Sequence, residues 1–569
     1  VSTRITIDPV TRIEGHLRVD AEINNGKVTK AWSSGQMWRG VELILLGRDP
    51  RDAWTITQRI CGVCTTVHAI ASVRAVENAL QLEVPLNAQY IRNMIISAHA
   101  IHDHIVHFYH LSAFDFVDVV SALSADPAKA AAWIQQYSDW PLNSKEAMKQ
   151  TQDRLKAFVA TGQLGPFTNG YWGHPAMKLS PEINLVAVAH YLQALEVQRE
   201  ANKIVTILGS KTPHIQNMAV GGVSNAIAVD SQSVLTVDRL MAIKTQIDKL
   251  SDFINKVYLI DVAAIGSVYA NWTGYGAGIK NYLSAPDFPT DTRGTQFMYP
   301  GGYIPDGDLG KYQAIKNFGD DFLGKGVEES VKHSWYTYSK AGPLHPYVGE
   351  TTPHYTDFQD DGKYSWLKAP TFYGKRAQVG PLAAVLNAVA AGHKPTIGYV
   401  TKTLDTVSSL VGAKVGVEAL HSTVGRHAAR AVRCAVLLEI LTSNWQLLID
   451  NIGRGDFATF NKPTFPKGEI VGYGFHEAPR GLLSHWIVIR DGKIANYQCV
   501  VPSTWNAGPR AEDDAPGPYE ASLLDNPVAN PEQPLEVLRT IHSFDPCLAC
   551  AVHVHDQETG QAVRVNAQP

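Results

Sequence analysis

Two Cys-x-x-Cys pairs, Cys61/Cys64 and Cys547/Cys550, stand near opposite ends of this chain of 569 residues. If they act together, the fold must carry its two ends to one place, because Cys64 and Cys547 are 483 residues apart. In each pair the three-residue step sets two sulfurs on one side of a turn, and Gly62 lets the backbone fold tightly beneath the first pair. One pair alone could be a redox dithiol, half of a zinc site or two buried thiols. Two pairs favour metal. Structural zinc held by four cysteines stays open as a reading, weakened by the long separation and by apolar flanks that suit a redox metal better. Arg59, His68, Asp545 and His553 lie near the pairs in sequence.

The chain has six cysteines, too few for a disulfide-built secreted scaffold of this length. Hydrophobic residues make up 45% and charged residues 18%, the balance of a globular enzyme rather than a disordered or fibrous chain. A net charge of -4 gives no reason to expect nucleic acid or an anionic membrane as the main partner. The length predicts one large mixed domain with insertions, or two lobes. No apolar run approaches the ~20 residues that cross a bilayer, and Val1 to Asp20 lacks an apolar signal segment. No address of its own is therefore expected.

Apolar and polar residues alternate from Arg4 to Ser33, and Asn25-Gly26 predicts a two-residue hairpin turn. From Asp52 to about Leu111 the period becomes helical, with a break at Pro85 and Asn87. Ser180-Pro181-Glu182 reads as the cap and first turn of a helix reaching about Gly209. Further helices are expected at about 235–260 and 406–450, and four long apolar-faced helices suggest a bundle-like core. Residues 268–380, rich in Gly, Pro, Asp and Tyr, predict a loop-dominated surface insertion without chemistry. Strands return at Trp486–Arg490 and Lys493–Val501 around an Asp491-Gly492 turn.

Several segments then carry a resemblance. Arg59 to Cys64 resembles the proximal cysteine motif of nickel-iron hydrogenase large subunits, and Asp545 to His553 resembles the distal one. Asp8 to His16, Trp38-Arg39-Gly40-Val41-Glu42, Gly170 to Pro175, Glu477-Ala478-Pro479-Arg480-Gly481 and Val501 to Asn506 are similar to further family segments in the family's order. The group most similar is that of respiratory uptake hydrogenases.

The resemblance implies an α+β subunit built around a helical bundle, with small antiparallel sheets and a metal centre where the two termini meet. It implies that Cys61 and Cys547 bind nickel terminally. Cys64 and Cys550 would bridge to an iron carrying carbon monoxide and two cyanide ligands; soft thiolates suit such a centre. Glu14 would take a proton from the Cys547 thiolate, and Arg480, after Pro479, would hold its guanidinium over the open position. Ser503 would donate to a cyanide, Asp103 and Asp545 would steer Arg480, and His68 would bond a bridging sulfur. Glu42, His553 and the backbone carbonyl of Cys499 would hold Mg2+. Cys434 reads as core.

A chain of iron-sulfur clusters needs about four thiolates per cluster, and only Cys434 and Cys499 remain, so electrons must leave through another protein. The family's partner is an iron-sulfur small subunit, in a heterodimer or a dimer of heterodimers, exported with the large subunit to the periplasmic side of the membrane and feeding a membrane acceptor. H2 is the implied substrate. Maturation proteins would insert nickel, and a protease would remove residues 554–569 from a domain spanning 1–553. Two competing readings are a quinone-reductase-type scaffold of the same fold, which lacks the paired cysteines, and a zinc-stapled structural subunit.

Overall fold

The structure, a computed structural model, describes residues 2–162, 170–227 and 235–551. The side chain of Cys550, together with His553 and the 554–569 tail, lies outside the described residues.

Strands β1 (Thr3–Ile7), β2 (Leu17–Asn24) and β3 (Lys27–Gly35) form an antiparallel sheet in sequence order. As predicted, Asn25 and Gly26 make the β2–β3 turn, both with positive φ (49° and 73°), the geometry that matches strand twist in a two-residue hairpin.

The helical core follows from helices apolar over most of their surface. Helix α1 (Val67–Leu80) starts three residues after Cys64, and α2 (Leu86–Val106) buries nearly its whole length. Helix α3 (Pro181–Gly209) begins where the sequence placed it, with the Ser180 side chain accepting from the Ile183 N–H. Helix α4 (Val237–Phe253) continues through a wide turn into a further helix, Leu259–Val268. The helix expected at 406–450 is two helices, α5 (Lys394–Val411) and α6 (Thr423–Gly453). Gly412, at φ 74°, ends the first, and the Ser422 hydroxyl caps the second; a left-handed glycine stops a helix without steric strain.

Helix α6 packs on α2, and α2 on α3. Among the described residues α6 is long and apolar enough to cross a membrane by length and composition. It runs through the core and buries Arg426, Arg430 and Arg433. Those interruptions are why no continuous apolar run stands out in the sequence.

Strands β4 (Glu469–Ala478), β5 (Gly481–Arg490) and β6 (Lys493–Val500) form a second antiparallel sheet, again with a positive-φ turn at Asp491-Gly492. Helix α1 lies on β4 because Gly472 and Gly474 present no Cβ; a side chain there would strike the backbone of Ala75 and Ala79. This contact sets the cysteine loop ahead of α1 beside the β4–β5 turn that carries Arg480.

Residues 268–380 correct the expected surface position. The segment is rich in loops and short strands, yet Tyr282, Leu283, Asp287, Phe288, Trp335 and Tyr364 are buried. Asp287 meets Arg74 of α1 at 3.0 Å and His476 of β4 at 2.6 Å. Low periodicity hid this packing, since scattered aromatics can fill a core without a regular face.

Candidate metal centre

Cys61 and Cys64 flank a tight turn at the start of α1, and Cys547 precedes a single helical turn, Leu548–Ala551. The two loops meet through the backbone of the N-terminal segment. The Glu14 N–H donates to the Pro546 carbonyl at 3.3 Å, and the Leu548 N–H donates to the Glu14 carbonyl at 2.6 Å. Gly15, at φ 81°, permits this approach, because a Cβ there would overlap the Ala549 backbone.

The consequence is a cluster of buried sulfurs. Cys61 Sγ lies 3.5 Å from Cys547 Sγ, and Cys64 Sγ lies 3.9 Å from it. Metal–thiolate bonds of ~2.3 Å in tetrahedral array place their sulfurs about 3.8 Å apart, so the spacing fits three ligands of one soft metal. The Cys61–Cys547 hydrogen bond, aided by Arg480, lowers the Cys61 pKa, while burial and the nearby Cys61 raise that of Cys547 well above the ordinary thiol. The Glu14 charge bears on both sulfurs.

Arg480 stands beside them at the β4–β5 turn. Its Nη1 donates to Asp103 Oδ2 at 2.9 Å, its Nη2 pairs with Asp545 Oδ1 at 3.0 Å, and its Nε donates to the Asp545 carbonyl at 3.1 Å. Burial alone would lower its pKa; Asp545, Cys547 and Asp103 outweigh that and raise it well above the ordinary value. Burial likewise works against the Asp103 carboxylate, but His99 and Arg480 hold its pKa well below the usual range. Asp545 is pushed up by burial, which Arg480 and Arg430 only partly offset.

Ser503 Oγ accepts the Cys547 N–H at 3.0 Å, which leaves the hydroxyl proton available to an acceptor in the pocket. That pocket is a small cavity lined by Cys64, His68, Pro479, Arg480, Ser503 and Cys547, with apolar side chains closing it. His68 Nδ1 lies 3.0 Å from His485 Nε2, and the His485 ring continues to the Tyr497 hydroxyl at 2.7 Å. Burial lowers the His485 pKa to about 3.

A second group forms around Glu42, which is 4% exposed. Its Oε1 accepts the Cys499 N–H at 3.0 Å, and its Oε2 accepts the Thr351 hydroxyl. Lys368 Nζ donates to Gln498 Oε1 at 2.7 Å and lies 3.6 Å from Glu329. Burial raises the Glu329 pKa to about 7, against the pull of Lys368 and with the push of Glu42. The buried, oxygen-rich donor set suits a hard cation. The Cys499 thiol is raised well above its ordinary range by burial and by Glu42, and Cys434 is fully buried in α6 and raised by burial.

From sequence alone, Arg39, His485, Thr351, Glu329 and Lys368 carry no assigned role. For Arg39 a signal existed, its place three residues before Glu42 in a motif-like segment. Thr351, Glu329 and Lys368 lie in the stretch read as a surface insertion.

A family model described as nickel-dependent hydrogenase matches residues 39–553, and a short model described as HoxL-like matches residues 4–33. The hydrogenase-2 large chain of Escherichia coli K12 is 58% identical over 566 residues, covering 99% of this chain and 100% of that protein. The uptake hydrogenase large subunit of Rhizobium leguminosarum bv. viciae is 48% identical, covering 99% and 97%. The Ni-Fe-Se hydrogenase structure from D. vulgaris Hildenborough superposes with a TM-score of 0.78 at 33% identity, covering 97% of this chain and 100% of that one. With a buried cysteine cluster joining the two ends of the chain, these matches establish that it belongs to the nickel-dependent hydrogenases, as the catalytic large subunit of a nickel-iron enzyme.

Proposed function

We propose that this subunit oxidises H2 by heterolytic cleavage at a nickel-iron centre held by Cys61, Cys64, Cys547 and Cys550, with carbon monoxide and two cyanides on the iron. The observation that carries this reading is the trio of buried sulfurs at metal–thiolate spacing beside Arg480. When bound, the centre would supply the redox chemistry that takes H2 to two protons and two electrons.

The surrounding residues divide the remaining work. Cys547 receives the proton as its thiol, and Glu14, whose charge is felt at that sulfur, relays it outward. Arg480 stays protonated between its carboxylates and shapes the open position rather than acting as a base. Asp103 and Asp545 fix its orientation. Ser503 would donate a hydrogen bond to a cyanide, Pro479 and its apolar neighbours would keep water out of the ligand pocket, and His68 would hydrogen-bond a cysteine sulfur. Glu42, the Cys499 carbonyl and His553 would hold Mg2+, whose charge the buried Glu42 would offset.

Electrons leave to an iron-sulfur small subunit. After the nickel ligands, Cys434 and Cys499 are too few for a cluster at about four thiolates each. Met37, Leu43, Ile44 and Leu46 are exposed on the segment after β3, and Val63 is exposed within the proximal cysteine loop; they offer apolar surface to that partner. The heterodimer, alone or paired, works on the periplasmic side of the membrane and passes electrons to a membrane acceptor, in keeping with the uptake relatives. Maturation ends with removal of 554–569.

The test is an infrared spectrum with metal analysis of the purified complex. Carbonyl and cyanide stretches with nickel and iron in equal amounts support the reading. Zinc alone, without those bands, refutes it.

A further inference from the structure

We propose that Arg39 is a positioning residue that latches the two cysteine segments into one ligand set. The proposal rests on the nickel-iron reading above. Arg39 Nη2 donates to the carbonyl of Ile60, the residue before Cys61, and at 2.6 Å to the carbonyl of Ala549, which lies between Cys547 and Cys550. One nitrogen therefore joins the proximal loop to a residue 510 positions away from Arg39. On its other side the distal segment is gripped by the Glu14 backbone and by Ser503. The latch closes a cradle around Cys547.

The same guanidinium is near enough to Cys61, Glu14 and Cys547 for their charges to act on it. Neighbours of metal ligands orient them and tune their basicity, so a cation beside the thiolates draws electron density from sulfur. Its removal makes the sulfurs stronger donors and increases back-donation from iron into carbon monoxide. Arg39 also sits on the segment that carries Glu42, across the left-handed Gly40. A latch at Arg39 thereby holds the second metal-site carboxylate in register with the thiolates.

Lysine keeps the charge but offers a compact ammonium on a flexible stem instead of a planar fork. Methionine keeps the apolar stem alone. The experiment compares wild type, Arg39→Lys and Arg39→Met as purified heterodimers, by nickel and iron content, infrared spectrum and circular dichroism. Nickel occupancy at limiting nickel is expected to fall about tenfold in both variants, the lower end for loss of a ligand's outer partner. The carbonyl stretch of the remaining Arg39→Met centres is expected at lower wavenumber. Wild-type nickel content and unshifted bands in both variants overturn the proposal. Should Arg39→Met fail to fold, Arg39→Lys decides by its nickel content. A wild-type complex without carbonyl and cyanide bands overturns the nickel-iron reading instead, before any variant is compared.

Discussion

Arg480 Nη1 rests 2.9 Å from Asp103 Oδ2, joining the β4–β5 turn to helix α2 across 377 residues of sequence. Because Asp545 holds the other amino group and the Nε, removing the Asp103 carboxylate leaves the guanidinium present but anchored from one side only. Asp103→Asn is expected to lower H2 oxidation about 10- to 100-fold, the usual range for losing an orienting partner. Steady-state assays with nickel content measured alongside check this; unchanged turnover would show that Asp545 alone orients Arg480.

Cys547→Ser and Cys61→Ser are each expected to abolish H2 activity and nickel retention. Oxygen is a hard donor and replaces a soft thiolate poorly on redox nickel, and both sulfurs sit inside the cluster at 3.5 Å from each other. Metal analysis of the variants is the measurement. Normal activity with nickel bound in either would remove the residue from the ligand set.

Glu14→Gln is expected to leave the metal centre intact, because the Glu14 backbone makes the contacts to Pro546 and Leu548. Hydrogen/deuterium exchange should nevertheless slow about 10²- to 10⁴-fold, since an amide cannot relay a proton. Exchange near the wild-type rate would place the proton exit elsewhere.

Asp115 predicts a pH effect on stability. Burial opposes its charge, yet Arg12 at 2.6 Å and His542 at 2.7 Å hold its pKa far below the usual range. A carboxylate with a depressed folded pKa contributes its full stability above the unfolded value of about 3.9 and loses it as pH falls from there toward the folded value. Asp115→Asn should therefore cost about 3–5 kcal/mol at neutral pH, as for other broken buried pairs, and the Tm gap to wild type should narrow below about pH 4. Thermal melts of wild type and variant at neutral and acid pH measure it; a gap independent of pH would contradict the assignment.

Active subunit is expected to end at His553. A tail beyond that residue would hinder its imidazole from reaching the Glu42 group. Intact-mass measurement on nickel-loaded enzyme decides, and a fully active subunit that retains Pro569 would show that processing is not required.

Much of the local structure was written in short stretches of sequence. Asn25-Gly26 and Asp491-Gly492 dictate their hairpins because both residues tolerate positive φ, and Ser180 with Pro181 starts its helix through a cap the side chain makes on its own backbone. The paired cysteines favoured a metal, with structural zinc left open, because three-residue spacing converges two sulfurs without help from the rest of the fold. Tertiary structure alone decided which distant groups meet. Arg39 reaches Ala549, Thr351 reaches Glu42, and Asp287 of the supposed surface insertion pairs with Arg74 in the core. In each pair a polar side chain finds a partner hundreds of positions away. Such pairs leave no periodic trace, because hydrophobic period reports only which face of an element is buried, and burial of the elements is what brings the partners into a low-dielectric space where they must find each other.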